Sequence, residues 1–113
     1  MFLVLLTYAK GLDVVDGLLA EHARFLDEHY ASGAFLLSGR RAPRTGGVIL
    51  AQAESRDALM EILSRDPFSR EGAARYEVVE FVPSKAAPEL AGLLAGRSCR
   101  VLEKACVFSK IME

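Results

Sequence analysis

The chain has 113 residues, 51% of them hydrophobic, and a net charge of −1, which fits one domain with a core of its own. Its basic residues form no extended patch or stripe, so the composition argues against nucleic-acid binding. The apolar start "MFLVLL" lacks the basic region of a signal peptide, and no apolar run reaches the roughly 20 residues of a membrane span. We therefore expect a cytoplasmic protein with no membrane partner.

The first two elements are a strand and a long helix. Residues 2–8, "FLVLLTY", are rich in strand formers. From Asp13, the expected N-cap, to about Ala31, apolar residues recur at three- and four-residue spacings, which predicts a helix. Gly33 then provides a plausible helix stop.

A hairpin and a helix–strand pair are predicted next. They comprise a strand at 34–39, a turn at 40–47, a strand at 48–53, a helix capped by Ser55 and running to Arg65, and a strand at 75–83. The order β-α-β-β-α-β is that of a ferredoxin-like α+β domain, here over residues 1–83. Residues 84–113 form a C-terminal extension, which we expect to pack on this domain or on a dimer.

Two cysteines and the first strand bear on assembly and on metal binding. Cys99 and Cys106 are seven residues apart, a spacing that matches no metal-ligand pattern, so we expect two reduced thiols and no metal or cofactor. The first strand is apolar on both faces, because Leu3 and Leu5 point away from the face that carries Val4. Two helices cover one face, so a second subunit or the tail must cover the other.

The predicted topology gathers polar residues at one end of the sheet. Tyr8 ends the first strand there, Ser38 and Arg40 lie where the second strand ends, and the second helix delivers Asp66 to the same end. His22 lies beside the apolar stripe of the first helix, in its upper half. His29 lies two turns lower, so we expect His22, and not His29, to contact Asp66.

Each of these residues has a functional and a structural interpretation. A His–Asp pair can exchange a proton near neutral pH, but a helix-face histidine is often a packed core residue and Asp-Pro is often a plain helix stop. Ser38 and Tyr8 suit either hydrogen bonding to a substrate or support of the strand ends. Arg40 suits either an anion-binding role or an exposed, solvated turn.

Several segments together resemble the YCII (YciI-like) family. They are "MFLVLLTY", the helix "LLAEHARFLDEHYASG", the following "FLLSG", and "RDPFSREGAARYEVVEFVP". The resemblance implies a dimeric α+β barrel and an active-site His–Asp pair, which corresponds to His22 and Asp66, with Ser38 at a small polar position. Relatives with known chemistry act as cofactor-free dehydrochlorinases on chlorinated aromatic breakdown products, and muconolactone isomerases have similar barrels.

The chain departs from the family pattern at two places. Arg40 follows "SG" where many members have proline, and residues 18–21 replace an Arg and a Pro that often precede the histidine.

The first hypothesis for function is a cofactor-independent proton-transfer enzyme, an elimination or isomerisation catalyst acting on a small anionic molecule. A ligand-binding or accessory barrel without catalysis, and a purely structural role with His22 packed in the core, remain open at this point.

Overall fold

The computed structural model describes residues 1–94. Its elements are β1 Phe2–Tyr8, α1 Leu12–Ser32, β2 Phe35–Arg40, β3 Gly46–Ala51, α2 Arg56–Leu63, α3 Pro67–Arg70 and β4 Ala74–Glu80, followed by a 3-10 turn at Pro88–Leu90. This is the predicted order with one added single-turn helix, so the α+β, ferredoxin-like prediction is confirmed. The chain divides into two compact units, Met1–Phe81 and Val82–Glu113, and the sheet and its helices belong to the first. Most of the predicted C-terminal extension, including Cys99 and Cys106, lies outside the described residues.

The four strands form one antiparallel sheet in the order β2-β3-β1-β4. Directly opposed residues share a face, and the register pairs Val4 with Ile49 on β3 and with Val78 on β4. These three side chains are buried, so they lie on the face that the helices cover. Leu3 and Leu5 occupy the other face, as the two-sided pattern of β1 predicted.

The core fills the space between the inner sheet face and the helices. Its largest fully buried members are Phe2, Phe35, Phe68, Leu6, Leu59, Leu63, Val4 and Val15. Each large apolar side chain buried in this way stabilises the fold by about 1.5–3 kcal/mol relative to full exposure. The opposite sheet face keeps exposed apolar side chains, among them Leu37 at 65% and Val79 at 42% exposure.

Helix α1 begins at Leu12, one residue before its predicted cap, Asp13. Gly11 is the N-cap and makes no side-chain cap bond, while Asp13 lies in the first turn. The prediction of Asp13 as N-cap is therefore wrong, although its carboxylate still lies near the positive end of the helix dipole. The predicted stop at Gly33 is correct: its φ of 87° is in the left-handed region, and its N–H donates to the Tyr30 carbonyl.

The predicted turn at 40–47 is shorter in the structure. Strand β2 extends through Arg40, and β3 already begins at Gly46. A Cβ on Gly46 would lie 1.8 Å from the Leu6 carbonyl oxygen, so a residue without a side chain is needed for β1 and β3 to pair there. The glycines that predicted a turn therefore serve strand pairing. Strand β3 ends at Ala51 and β4 at Glu80, before the predicted ends at 53 and 83.

The second predicted helix is shorter in the structure, and a single-turn helix follows it. Helix α2 begins at the Ser55 cap, whose Oγ accepts the Ala58 N–H at 3.0 Å, and it ends at Leu63 rather than Arg65. Asp66 has ψ 130°, the extended conformation favoured before proline. With Pro67 at its first position, α3 then starts a new turn. Asp66-Pro67-Phe68 therefore lies beyond the end of α2 and starts a new helix.

Candidate functional site

A cavity of about 230 Å³ lies between α1, α3 and the ends of β1, β2 and β3. Four of the five predicted site residues line it, namely Tyr8, His22, Ser38 and Arg40. Its apolar walls come from Leu6, Leu19, Leu26, Ile49 and Phe68. The cavity therefore offers an apolar volume with a few convergent polar groups, the usual composition of a small-molecule site.

The fifth predicted residue, Asp66, lies directly behind His22. The His22 Nδ1 and Asp66 Oδ1 atoms are 2.8 Å apart, and the side chains are 14% and 0% exposed, respectively. The predicted contact between these residues is thus present in the structure. Asp66 does not line the cavity, so the imidazole ring of His22 lies between its carboxylate and the cavity.

His29 is in a separate environment, as the helix position predicted. It is buried, and its ring packs 4.8 Å from Phe25 and 5.1 Å from Phe35, measured between centroids. Its Nε2 is the one buried side-chain nitrogen or oxygen within residues 1–94 that lacks a hydrogen-bond partner. His29 is therefore a core histidine of α1 and contributes nothing to the cavity.

The start of α3 holds the Asp66 carboxylate in place. As the N-cap residue, Asp66 accepts the Phe68 backbone N–H on Oδ1 at 3.0 Å. Pro67 is buried next to it and has the backbone angle that a first helical position needs. The local sequence therefore turns the carboxylate inward, toward α1. Without this capping bond, the carboxylate would be free to rotate.

Phe68 orients the imidazole ring from the other side. The rings of Phe68 and His22 are stacked with centroids 4.1 Å apart and planes inclined by 14°. Tyr8 meets the same phenyl ring edge-on at 6.0 Å. A hydrogen bond thus holds the Nδ1 edge of His22, and the Phe68 ring covers one face of the imidazole. Neither contact involves the Nε2 edge.

Tyr76 is a third contact of Asp66, from strand β4. Its hydroxyl donates to Asp66 Oδ2 at 2.5 Å. Burial, and then the negative charge of Asp66 and this hydrogen bond, raise the pKa of Tyr76 far above its ordinary value. The hydroxyl therefore remains a proton donor to the carboxylate throughout the neutral range.

Ser38 has a partner on α1. Its Oγ makes a short hydrogen bond with the Tyr30 hydroxyl, in which either group can donate. Because Ser38 lines the cavity on the β2 side, this bond fixes the position of a hydroxyl at the cavity wall. The side chain is thus neither a free hydroxyl nor a support for the turn, which begins after Arg40.

The three arginines of the hairpin have different surroundings. Arg41 donates to the Thr7 hydroxyl at 3.1 Å, and Arg44 pairs with Asp16. That bond to Asp16, and a smaller contribution from Tyr8, raise the pKa of Arg44. Arg40 lines the cavity and has no ion-pair partner in the described part of the chain. It is thus the arginine of this turn whose charge is available to an anion in the cavity.

An exposed ion pair ties α3 to α1 near the histidine. The Arg70 guanidinium donates to both oxygens of Glu21, at 2.7 and 3.0 Å. The bond to Arg70 is the main cause of a lowered Glu21 pKa. Since Glu21 precedes His22 and Arg70 ends α3, the pair connects the two helices that carry the His–Asp contact.

Two further properties concern metals and membranes. Within residues 1–94, no group of three or more His, Cys, Asp or Glu side chains is arranged to hold a metal ion. In the same part of the chain, no helix has the length and apolar character needed to cross a bilayer.

Sequence reasoning missed three residues of this site: Phe68, Tyr30 and Tyr76. For Tyr76 a signal was present, because "ARYEVVE" alternates and its inner face carries Ala74, Tyr76 and Val78. A tyrosine on an inner strand face needs a partner for its hydroxyl when it is buried. The identity of that partner depended on the register between β4 and β1, which places Tyr76 opposite Leu6.

A structure that matches this chain is 5-chloro-2-hydroxyhydroquinone dehydrochlorinase (TftG) from Burkholderia phenoliruptrix AC1100, in complex with 2,5-dihydroxybenzoquinone. The match has a TM-score of 0.64 and 23% sequence identity, and it covers 72% of this chain and 92% of that one, so it establishes a shared fold. Comparison with curated proteins gives no match. The model of the YCII-related domain matches residues 1–82, and the chain therefore belongs to the YCII-related family.

Proposed function

We propose that this protein is a cofactor-independent enzyme that moves a proton on a small, anionic organic molecule, with His22 as the acid–base group and Asp66 as its partner. The observation that carries the proposal is the 2.8 Å contact between Asp66 and a cavity-lining His22. A carboxylate at Nδ1 favours the ring form that has its proton on Nδ1 and stabilises the imidazolium that forms after proton uptake. The opposite nitrogen, Nε2, is then free to accept a proton from a bound molecule.

The chemical step needs no other reactant. Nε2 takes a proton from an acidic carbon of the substrate, and the C–H electron pair forms a new double bond. In an elimination, a leaving group such as chloride departs with its bonding electron pair. In an isomerisation, the imidazolium returns the proton to a different carbon, and the double bond moves. Both reactions restore neutral His22 once the proton is released to water or to the product.

Substrate binding is assigned to Arg40, Ser38 and Tyr8. Arg40 is the arginine of the hairpin that lines the cavity, and its guanidinium fork suits a carboxylate or an ionised phenol. Ser38 and Tyr8 offer hydroxyls on two other walls of the cavity. The apolar remainder, with a volume of about 230 Å³, suits a molecule the size of a single substituted ring. The dehydrochlorinase fold match makes chlorinated hydroquinones the first compounds to test.

A homodimer is part of the proposal, because the outer sheet face is too apolar to face water. Leu3, Leu5, Leu37, Val48, Leu50 and Val79 share this face by register. A second copy that covers it with the same face would form the dimeric α+β barrel that the family resemblance implies. An obligate interface of this kind buries well over about 1,200 Å² in total.

The test is a proton-exchange and chloride-release assay. Purified protein is incubated in D₂O with 5-chloro-2-hydroxyhydroquinone and with related ring acids, and NMR follows deuterium uptake while an electrode follows chloride. We expect exchange or chloride release in the native protein and its loss in His22→Ala, with folding checked by circular dichroism. His29→Ala is the matched control, because it removes a histidine from the same helix outside the cavity.

The outcome also separates catalysis from binding. If His22→Ala retains the full rate, the proposed role of His22 is wrong. If 2,5-dihydroxybenzoquinone binds with an affinity that depends on Arg40, but no compound exchanges a proton or loses chloride, the protein is a ligand-binding barrel. Calorimetry with native protein and Arg40→Ala distinguishes that case.

A further inference from the structure

The Asp66 carboxylate receives hydrogen bonds on both of its oxygens. Oδ1 accepts from the Phe68 N–H at 3.0 Å and faces His22 Nδ1 at 2.8 Å, while Oδ2 accepts from the Tyr76 hydroxyl at 2.5 Å. The side chain is 0% exposed, so no water replaces a missing donor. This pattern suits a carboxylate, which accepts hydrogen bonds and has none to give.

Tyr76 occupies a rigid position from which to hold Oδ2. It lies on the inner face of β4, and the register with β1 places it opposite the buried Leu6. It does not line the cavity, so it has no contact with a bound ligand. Its hydroxyl has Asp66 as its hydrogen-bond partner among the described residues.

We propose that Tyr76 is a positioning residue of this site: its hydroxyl, acting through Asp66, holds His22 in the tautomer with the proton on Nδ1 and Nε2 free. With Oδ2 anchored, the carboxyl group cannot rotate away, so Oδ1 continues to face Nδ1. Removing the hydroxyl leaves Oδ2 without its hydrogen-bond donor. The carboxyl group can then turn, which weakens the bond between Oδ1 and the Nδ1 proton of His22. Free histidine prefers the other tautomer, with the proton on Nε2, which is the form that cannot accept a proton at the cavity.

This inference rests on the proposed function only for its catalytic meaning, since the tautomer is a property of the protein alone. The other ionisable groups at the cavity are Tyr8 and Arg40, and neither contacts Asp66. Glu21, the neighbour of His22 on α1, is engaged by Arg70 on the outer surface. The Tyr76–Asp66–His22 chain is therefore the connection through which Tyr76 affects the imidazole.

The experiment is NMR of the ¹⁵N-labelled full chain at about pH 9, where an ordinary imidazole is neutral. Long-range ¹H–¹⁵N spectra distinguish a protonated ring nitrogen from one with a free lone pair. We expect the native protein to show His22 as the Nδ1–H tautomer, and Tyr76→Phe to show a mixture with the Nε2–H form. An unchanged His22 tautomer in folded Tyr76→Phe would overturn the proposal. His29 provides an internal reference in both spectra.

A second measurement covers the case in which Tyr76→Phe does not fold. In the native protein labelled at tyrosine Cζ, Tyr76 should stay protonated through about pH 10, where a free tyrosine ionises. Asp66→Asn should bring its ionisation back toward that value. Ionisation of native Tyr76 with the ordinary pKa would mean that no strong bond to Asp66 exists, and the proposal would be wrong.

Activity gives a third, separable readout. If the native protein catalyses exchange, Tyr76→Phe should lower kcat by about tenfold, the loss expected for one hydrogen bond to a charged group, with KM unchanged. A changed KM with unchanged kcat would overturn the positioning role. If His22→Ala is as active as the native protein, the proposed function is wrong. The two NMR results do not depend on activity, so they still test the role of Tyr76 separately.

Discussion

Replacing Asp66 by alanine tests whether the carboxylate that orients His22 also stabilises the fold. The substitution removes the acceptor of three groups at once: the Phe68 N–H, the Tyr76 hydroxyl and His22 Nδ1. His22 is partly exposed and can bind water instead. The Phe68 N–H is buried and the Tyr76 hydroxyl is partly buried, and both face the fully enclosed position of Asp66, where alanine gives them no acceptor.

The expected cost follows from these contacts. Loss of an N-cap acceptor costs about 1 kcal/mol, with a range of about 0.5–2 kcal/mol, and this includes the Phe68 N–H. The partly buried Tyr76 hydroxyl left without an acceptor adds about 1–3 kcal/mol. Removing one member of a buried charged network costs about 3–5 kcal/mol in all, which agrees with the sum once the lost side-chain volume is added. Total stabilities are about 5–15 kcal/mol, so Asp66→Ala should remove a large share of the free energy of unfolding.

Urea unfolding at a fixed protein concentration measures this difference, because an oligomer's apparent stability depends on concentration. Asp66→Asn is the control: it retains the volume and one acceptor oxygen, and it should cost about 1–2 kcal/mol. The reasoning is refuted if Asp66→Ala unfolds within about 1 kcal/mol of the native protein. It is also refuted if the Asn variant is the less stable of the two.

Four further outcomes are expected. Arg40→Ala should weaken binding of 2,5-dihydroxybenzoquinone about tenfold by calorimetry, as expected for loss of a charged hydrogen bond. The Arg41 side chain bonds Thr7, so Arg41→Ala should bind nearly as the native protein does. Equal losses in the two variants would contradict the assignment of Arg40 to anion binding. Burial and Asp66 raise the pKa of Tyr76, so its contribution to stability is present below about pH 10 and is lost above it, by up to ~1.4 kcal/mol per pH unit. Tyr76→Phe should reduce this loss of stability in urea unfolding at alkaline pH. An unchanged pH dependence in this variant would contradict the assigned contribution of Tyr76. Leu37→Asp, on the outer sheet face, should convert the proposed dimer to a monomer in light scattering, and a dimer that survives this charge would contradict the proposed interface. His29→Leu should raise the free energy of unfolding by about 1 kcal/mol, because it removes a buried nitrogen without a partner; a lower urea midpoint would mean that this nitrogen has a partner in solution.

The sequence by itself determined the order of elements and the convergence of the site. Apolar periodicity distinguishes the strands from α1, and the β-α-β-β-α-β order leaves one way to arrange the ends. That was sufficient to predict that His22, and not His29, meets Asp66, because the two histidines differ by seven residues, about 10 Å along a helix axis. Local signals such as Ser55 and Gly33 also identified helix ends correctly, since capping depends on a few neighbouring residues.

Tertiary structure decided the features that depend on close approach and on register. Gly46 belongs to β3 and not to a turn because the Leu6 carbonyl lies where a side chain would be. Asp66 caps the separate helix α3, which packs its Phe68 against His22. Tyr76 reaches Asp66 through the pairing of β4 with β1, a contact between residues on two different elements. Such contacts are set by three-dimensional fit across the chain, which residue spacing along one element does not encode.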